Sequence, residues 1–233
     1  MRIGLASYEF KNNDISFNIS QMERALKCAQ GKVDLLCFGE TFLQGFDALS
    51  WNYEADKDIA ISTDSEVMRR FCGMTTAYQV DLLFGYIERS GDCLYSSCAV
   101  IENGELAHNY RRISKGWKEY SVTDGHYGEG TDTAGFLYHG RPVKIALCGD
   151  LWEYPERFKT DGLLIWPVYV NFELDEWSRQ EMEYAAQAHI AARRTVMVNS
   201  ISRDPASHGG VFYFVDGKME KKLPYDTEGI LII

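Results

Sequence analysis

Four short, nearly unbroken apolar runs, at residues 33–38, 80–86, 143–147 and 163–168, constrain the fold of this chain more than any other feature. Runs of that length and continuity read as strands covered on both faces, the pattern of parallel strands buried between layers. The first two each follow a segment with helical spacing. Ile15, Ile19, Met22 and Leu26 come after a candidate N-cap at Asp14, and Val67, Phe71, Met74 and Tyr78 come after a Thr63/Glu66 capping box. Residues 2–7 read as a further strand ahead of the first helix. Residues 93–111 give strand, Asn103-Gly104 turn and strand, a strong hairpin signal. The spacing predicts a long helix over 177–194 whose Ala185, Ala188, Ala191 and Ala192 make a small-residue face for close packing. Strands at 195–200, 211–215, 218–223 and 229–233 close the chain, with an Asp216-Gly217 turn among them. Helices and strands that alternate and then give way to hairpins imply a layered α/β protein with a mixed sheet.

No linker-like stretch interrupts the 233 residues, so a single domain over 1–233 is expected. The net charge of −10, from 24 basic against 34 acidic residues, comes without a basic stripe. That argues against nucleic acid or an anionic membrane as partner, because phosphate binding draws on clustered Lys and Arg, and it leaves a small molecule. The longest apolar segment, 163–170, is far below the ~18 residues of a membrane span. The first ten residues lack an export signal, so a cytoplasmic location is expected. Six cysteines without a C-x-x-C pair suit free thiols in a reducing compartment, neither a disulfide framework nor a zinc site.

Cys148 is the most informative single residue. It ends an apolar strand, Gly149 after it offers backbone freedom for a sharp turn, and Pro155-Glu156 reads as the first turn of a short helix. A thiol on such an elbow lies beside backbone N–H groups that can lower its pKa and later bind an oxyanion, and with a helix N-terminus and a nearby cation it is expected to be thiolate-rich at neutral pH. A cysteine at a strand end is also commonly a small buried hydrophobe. Glu40 stands just past the second strand, where open α/β sheets place their ligand crevice, as a candidate general base or as a structural acid paired with an arginine. Residues 110–119 leave a strand densely charged, either as a solvated loop or with a lysine placed to hold charge near a reacting carbonyl. No histidine has the context of a Cys-His pair.

The order Glu40, basic segment, Cys148 resembles the nitrilase or carbon–nitrogen hydrolase superfamily, whose sites use Glu, Lys and Cys in that chain order. Phe38-Gly39-Glu40 looks like its glutamate motif and Tyr110-Arg111-Arg112 like its Tyr-Arg-Lys motif. Leu147-Cys148-Gly149-Asp150 through Pro155-Glu156 is similar to its nucleophile motif. Residues 177–199, with Ala191, Arg193 and Asn199, resemble its long helix and following strand, and 209–217 its late hairpin.

The resemblance implies a four-layer αββα sandwich, nitrilase-like, that pairs with a second copy as a homodimer or higher homo-oligomer. It implies hydrolysis of a non-peptide carbon–nitrogen bond in an amide or carbamoyl compound, nitriles being a narrower subset, with no metal and no organic cofactor. Cys148 would be the nucleophile and Glu40 the base. Where the family has its lysine, this chain has Arg112, so Lys115 is expected to be the catalytic amine, with Lys118 as an alternative and Arg112, otherwise assigned to substrate binding, as a less suited one because a guanidinium is larger and cannot release a proton. The N–H of Gly149 would help hold the oxyanion. Glu119 would be the second acid, with Asp124 and Glu129 as alternatives. The C-terminal extension many members use for dimer contacts is expected to be short or absent. Two rival readings stand beside this one. A degenerate member could bind a metabolite or partner without turnover. A nucleotide-binding doubly wound protein would need a G-x-G-x-x-G or P-loop pattern, which no predicted strand precedes.

Overall fold

The alternation expected from the apolar runs is realised strand by strand in a computed structural model that describes residues 1–233. β1 (Ile3–Ser7), β2 (Leu35–Cys37) and β3 (Asp81–Ser90) lie parallel. They are joined by α1 (Ile15–Ala29) and then by α2 (Tyr53–Asp56) and α3 (Glu66–Tyr78). β4 (Cys93–Glu102) follows antiparallel to β3, and β5 (Glu105–Arg111) antiparallel to β4 at the sheet edge.

The second half builds β6 (Phe136–Tyr138), β7 (Arg141–Ile145), α4 (Asp150–Glu153), β8 (Thr160–Pro167), α5 (Leu174–Ala191), β9 (Ala192–Arg203), β10 (Ala206–Val215) and β11 (Lys218–Lys222). β12 (Gly229–Ile232) crosses back to pair antiparallel with β1. The result is two six-stranded mixed sheets, ordered β12-β1-β2-β3-β4-β5 and β11-β10-β9-β8-β7-β6.

Residue alternation along each strand separates the layers. Leu35 and Cys37 of β2 join Ile145, Ile165 and Val198 in the core between the sheets, which continues to Trp177, Tyr184 and Ala188 of α5. Leu36 and Phe38 point the other way, against Met22 of α1 and Phe71 of α3. The order is therefore α1 and α3, first sheet, second sheet, α5: the four-layer αββα sandwich. A third, smaller cluster of Leu49, Ala60, Ile87, Leu94, Trp117 and Tyr127 pins the loops over one edge.

Local chemistry explains most boundaries. Asp14 caps α1 by accepting from the Phe17 N–H at 2.9 Å. The cap of α3 is Ser65, whose Oγ accepts from the Met68 N–H at 3.2 Å. The expected Thr63/Glu66 box is out of phase because Glu66 is already the first helical residue. Asn103 (φ 53°) and Gly104 (φ 84°) turn β4 into β5, as Asp216 (φ 50°) and Gly217 (φ 74°) turn β10 into β11. These are the paired left-handed residues of a tight hairpin. His139 (φ 48°) and Gly140 (φ 72°) make a third such turn between β6 and β7. The sequence did not signal it, because histidine is a less usual occupant than Asn or Asp. No helix is long and apolar enough to cross a membrane.

Candidate active site

The C-terminal ends of β2, β5 and β7 deliver Glu40, Arg112 and Cys148 to one place. The turn after β2 is pressed tightly into the sandwich. A Cβ at Gly85 of β3 would lie 2.4 Å from the Thr41 nitrogen and 2.7 Å from the Glu40 Cα, and one at Gly39 would lie 2.5 Å from Ser200 Oγ. Close backbone approach, which only glycine permits, thus drives Glu40 inward. Thr41 sits at φ 47° and Cys148 at φ 40°. Neither is glycine, and such left-handed residues cost about 1–3 kcal/mol each, a strain that tends to collect at functional sites.

Glu40 is fully buried. Its Oε1 accepts from Arg112 Nη1 at 2.9 Å and from Ser96 Oγ at 3.0 Å, while its Oε2 has no partner. Arg112, only 3% exposed, also donates from Nε to Ser114 Oγ at 2.7 Å. Burial works against its charge, but Glu40, Cys148 and Asp150 outweigh that and hold it protonated.

Cys148 is half-buried, its Sγ 3.8 Å from the Tyr169 carbonyl oxygen, and its own carbonyl accepts from Trp166 Nε1 at 2.8 Å. Burial and then the charge of Glu40 push its pKa up to about 12, against the smaller opposing pulls of Arg112 and the Tyr169 carbonyl contact. The expectation of a thiolate-rich cysteine is therefore corrected: desolvation beside a carboxylate wins over one cation and a one-turn helix.

Asp150, fully buried, ties these pieces together. Its Oδ1 accepts from the N–H groups of Ser114 (2.8 Å) and Ile113 (3.1 Å), and its Oδ2 from the Leu147 N–H (2.8 Å) and the Tyr110 hydroxyl (2.5 Å). Burial raises its pKa in spite of these bonds and of Arg112. The elbow after β7 and the segment after β5 are thereby held to one carboxylate.

Lys115 does not join the group. It is exposed, its ammonium 5.7 Å from the Tyr120 ring centroid, and Arg112 occupies the place against Glu40 expected for the amine. Lys118 pairs with Glu129 at 2.8 Å and donates to the Tyr127 carbonyl. Glu119 is exposed and bonded to Ser121, and Asp124 is bonded to His126; neither meets Glu40 or Cys148. The Tyr120 hydroxyl donates to Glu129. Gly149 has an ordinary φ of −61°, so the strained residue of the elbow is Cys148 itself.

Sequence reasoning missed Ser96, Ser114 and Asp150. Asp150 was visible within the Cys-x-Asp motif, whereas Ser96 reaches Glu40 through the register of β4 against its neighbours, which carries no local signal. A separate group of donor atoms, from Asp81, Glu102 and His139, lies within 4.8 Å of one another at the opposite strand ends.

The profile of the family described as carbon-nitrogen hydrolase matches residues 2–232. An arylacetonitrilase of Aspergillus niger is 25% identical over 131 residues, 52% of this chain and 39% of that protein. A glutamine-dependent NAD(+) synthetase of Thermotoga maritima is 27% identical over 158 residues, 65% of this chain and 26% of that protein. The chain thus spans well under half the length of either relative. Among solved structures, an amidase from Nesterenkonia sp. superposes with a TM-score of 0.81 at 18% identity, covering 100% of this chain and 89% of its own. A variant of that amidase records Michael addition of acrylamide at its active-site cysteine. XC1258 of Xanthomonas campestris, described as a CN-hydrolase superfamily protein, gives a TM-score of 0.78 at 15% identity over 100% of this chain and 89% of its own. With the αββα sandwich, the convergence of three strand ends and a family profile running from the second residue to the last but one, this chain belongs to the carbon-nitrogen hydrolase family.

Proposed function

We propose that the protein hydrolyses the carbon–nitrogen bond of a small amide or carbamoyl compound through Cys148, with Glu40 as base and Arg112 as the fixed positive charge. One observation carries this reading: an unpartnered Glu40 Oε2, an Arg112 Nη2 without a hydrogen bond and a strained half-buried thiol all meet at one end of the sandwich. The Gly149 N–H, immediately after the thiol, likewise has no protein acceptor.

The chemistry follows from the protonation states. Because the thiol rests as S–H, it needs a base at the moment of attack. Glu40 takes the proton as the Cys148 sulfur bonds to the substrate carbon, and the carbonyl π electrons move to oxygen. Arg112 Nη2 and the Gly149 N–H are the donors for that oxyanion. Collapse of the adduct breaks the carbon–nitrogen bond while Glu40 returns the proton to the departing nitrogen, leaving a thioester and an amine or ammonia. Water then attacks the thioester, Glu40 accepting one of its protons. The carbon–sulfur bond breaks, and the thiol regains its hydrogen. The guanidinium supplies charge throughout and never a proton.

Ammonia release from a panel of amides, carbamoyl compounds and nitriles tests the reading. Turnover is expected with at least one amide or carbamoyl compound and should vanish in Cys148→Ala and in Glu40→Gln. Turnover that persists in both variants removes the mechanism. The presence of Arg112 where the family motif has lysine favours one rival, a binder without turnover. That rival predicts tight ligand binding with no ammonia from any compound. Pairing of two copies through the α5 side, where Met182 and Ile190 stand exposed, belongs to the same proposal. Sedimentation as a monomer at micromolar concentration removes that part.

A further inference from the structure

Gly149 has no conformational reason to be glycine, since its φ of −61° is open to any residue. The reason is spatial. A Cβ at position 149 would lie 2.4 Å from Arg112 Nη2, 3.5 Å from Arg112 Cζ and 3.1 Å from Ser114 Oγ. Gly116, which also lacks a positive φ, would bring a Cβ to 3.2 Å from the same Nη2.

The far end of an arginine usually swings clear of such a contact, but this one cannot move freely. Nη1 is bonded to Glu40, Nε is bonded to Ser114, and the side chain is nearly sealed from solvent. Moving Nη2 away from a new methyl group means breaking one of those bonds or tilting the guanidinium off the elbow.

We infer that Gly149 and Gly116 form a slot shaped for the Arg112 guanidinium, making them positioning residues for the charge that faces the Cys148 elbow. Arginine at 112 is then a built feature of this site, with its space cleared on both sides. Lysine at 112 would leave the slot partly empty, because an ammonium has no second terminal nitrogen to fill it.

The activity arm of this inference rests on the proposed hydrolysis; the packing arm does not. The test is a double-mutant cycle over Gly149→Ala and Arg112→Lys, read in thermal midpoint and in kcat and KM on the best amide. On the arginine background, Gly149→Ala is expected to lower kcat about 10²-fold with KM nearly unchanged, the scale of a sub-ångström to ångström misplacement of a charge. It should also lower the midpoint. On the lysine background, the same change should cost less than about threefold in kcat and little in midpoint, because the clashing nitrogen is gone. Gly116→Ala, with its looser contact, should show the same dependence in weaker form.

Equal losses on both backgrounds overturn the inference, since they would mean that the elbow backbone itself requires glycine. If Gly149→Ala fails to fold while Gly149→Ala/Arg112→Lys folds, the slot stands; if neither folds, it falls. Should no amide be turned over at all, the midpoint cycle still decides, so failure of the proposed function and failure of the slot are separate outcomes.

Discussion

At Cys148, two neighbours of opposite charge compete for one sulfur, and the carboxylate is the stronger, after burial itself. A titration at this residue therefore has an unusual sign. Native protein should react slowly with iodoacetamide at neutral pH, and the rate should climb only in alkaline solution. Glu40→Gln removes the negative neighbour and leaves the Arg112 charge in place, so the thiol pKa should fall and alkylation at about pH 8–9 should accelerate, even as turnover is lost. Peptide-mapped labelling rates across pH check this. A variant that labels more slowly than the native protein would mean that Glu40 assists the thiolate where the geometry has it opposing.

Among elements, the most consequential joint is the one Asp150 makes between the end of β5 and the elbow before α4. Tyr110→Phe deletes one of its four bonds, in which a hydroxyl serves a buried carboxylate, and should cost about 1.5–3 kcal/mol of stability. Because the tyrosine precedes Arg112 by only two residues, the loss should reach kcat as well. Urea unfolding and steady-state kinetics measure the two effects; stability unchanged within ~0.5 kcal/mol would rule out a joint that bears load. How much could be read beforehand differs between the two sides of this joint. The strands, helices and two hairpins were legible because each rests on local patterning: alternation, helical spacing, Asn-Gly and Asp-Gly. Glu40 and Cys148 were legible because each closes an apolar run. Spacing along a chain does not separate Lys115 from Arg112, because it says nothing about which of several basic side chains turns inward. That choice is made by the Asp150 bonds to the Ile113 and Ser114 nitrogens, which fix the backbone beyond β5, and by the room left at Gly149. Both are contacts across more than thirty residues, outside the reach of any window.

For the whole molecule, Glu88 supplies the acid-sensitive link across the first sheet. Buried in β3, it accepts from Ser97 Oγ (2.6 Å), Asn109 Nδ2 (2.9 Å) and both ends of the Arg111 fork (2.5 and 2.9 Å). Burial alone would raise its pKa, but these partners together bring it below the usual glutamate value. A carboxyl with a lowered folded-state pKa binds fewer protons folded than unfolded. Its stabilisation is complete above the unfolded value, about 4.3, and drains away as pH falls through the lower folded one. Glu88→Gln should therefore be markedly less stable than the native chain at pH 7, with the gap narrowing as pH falls through the acid range. Urea midpoints from pH 7 to about 3 follow this directly, and a gap that widens toward acid would contradict it.

The sandwich also sets the distance over which the reaction must work. Glu40 leaves the first sheet and Cys148 the second, so the proposed base and nucleophile sit on opposite plates whose spacing is held by Leu83, Cys98 and Val100 on one side and Ile145, Ile165 and Val196 on the other. Interiors packed to crystal density compress little. The proton gap across the plates is therefore fixed like the jaw opening of a vice, and a single methylene shaved from the filling is expected to register as a change in the proposed turnover before it registers as unfolding.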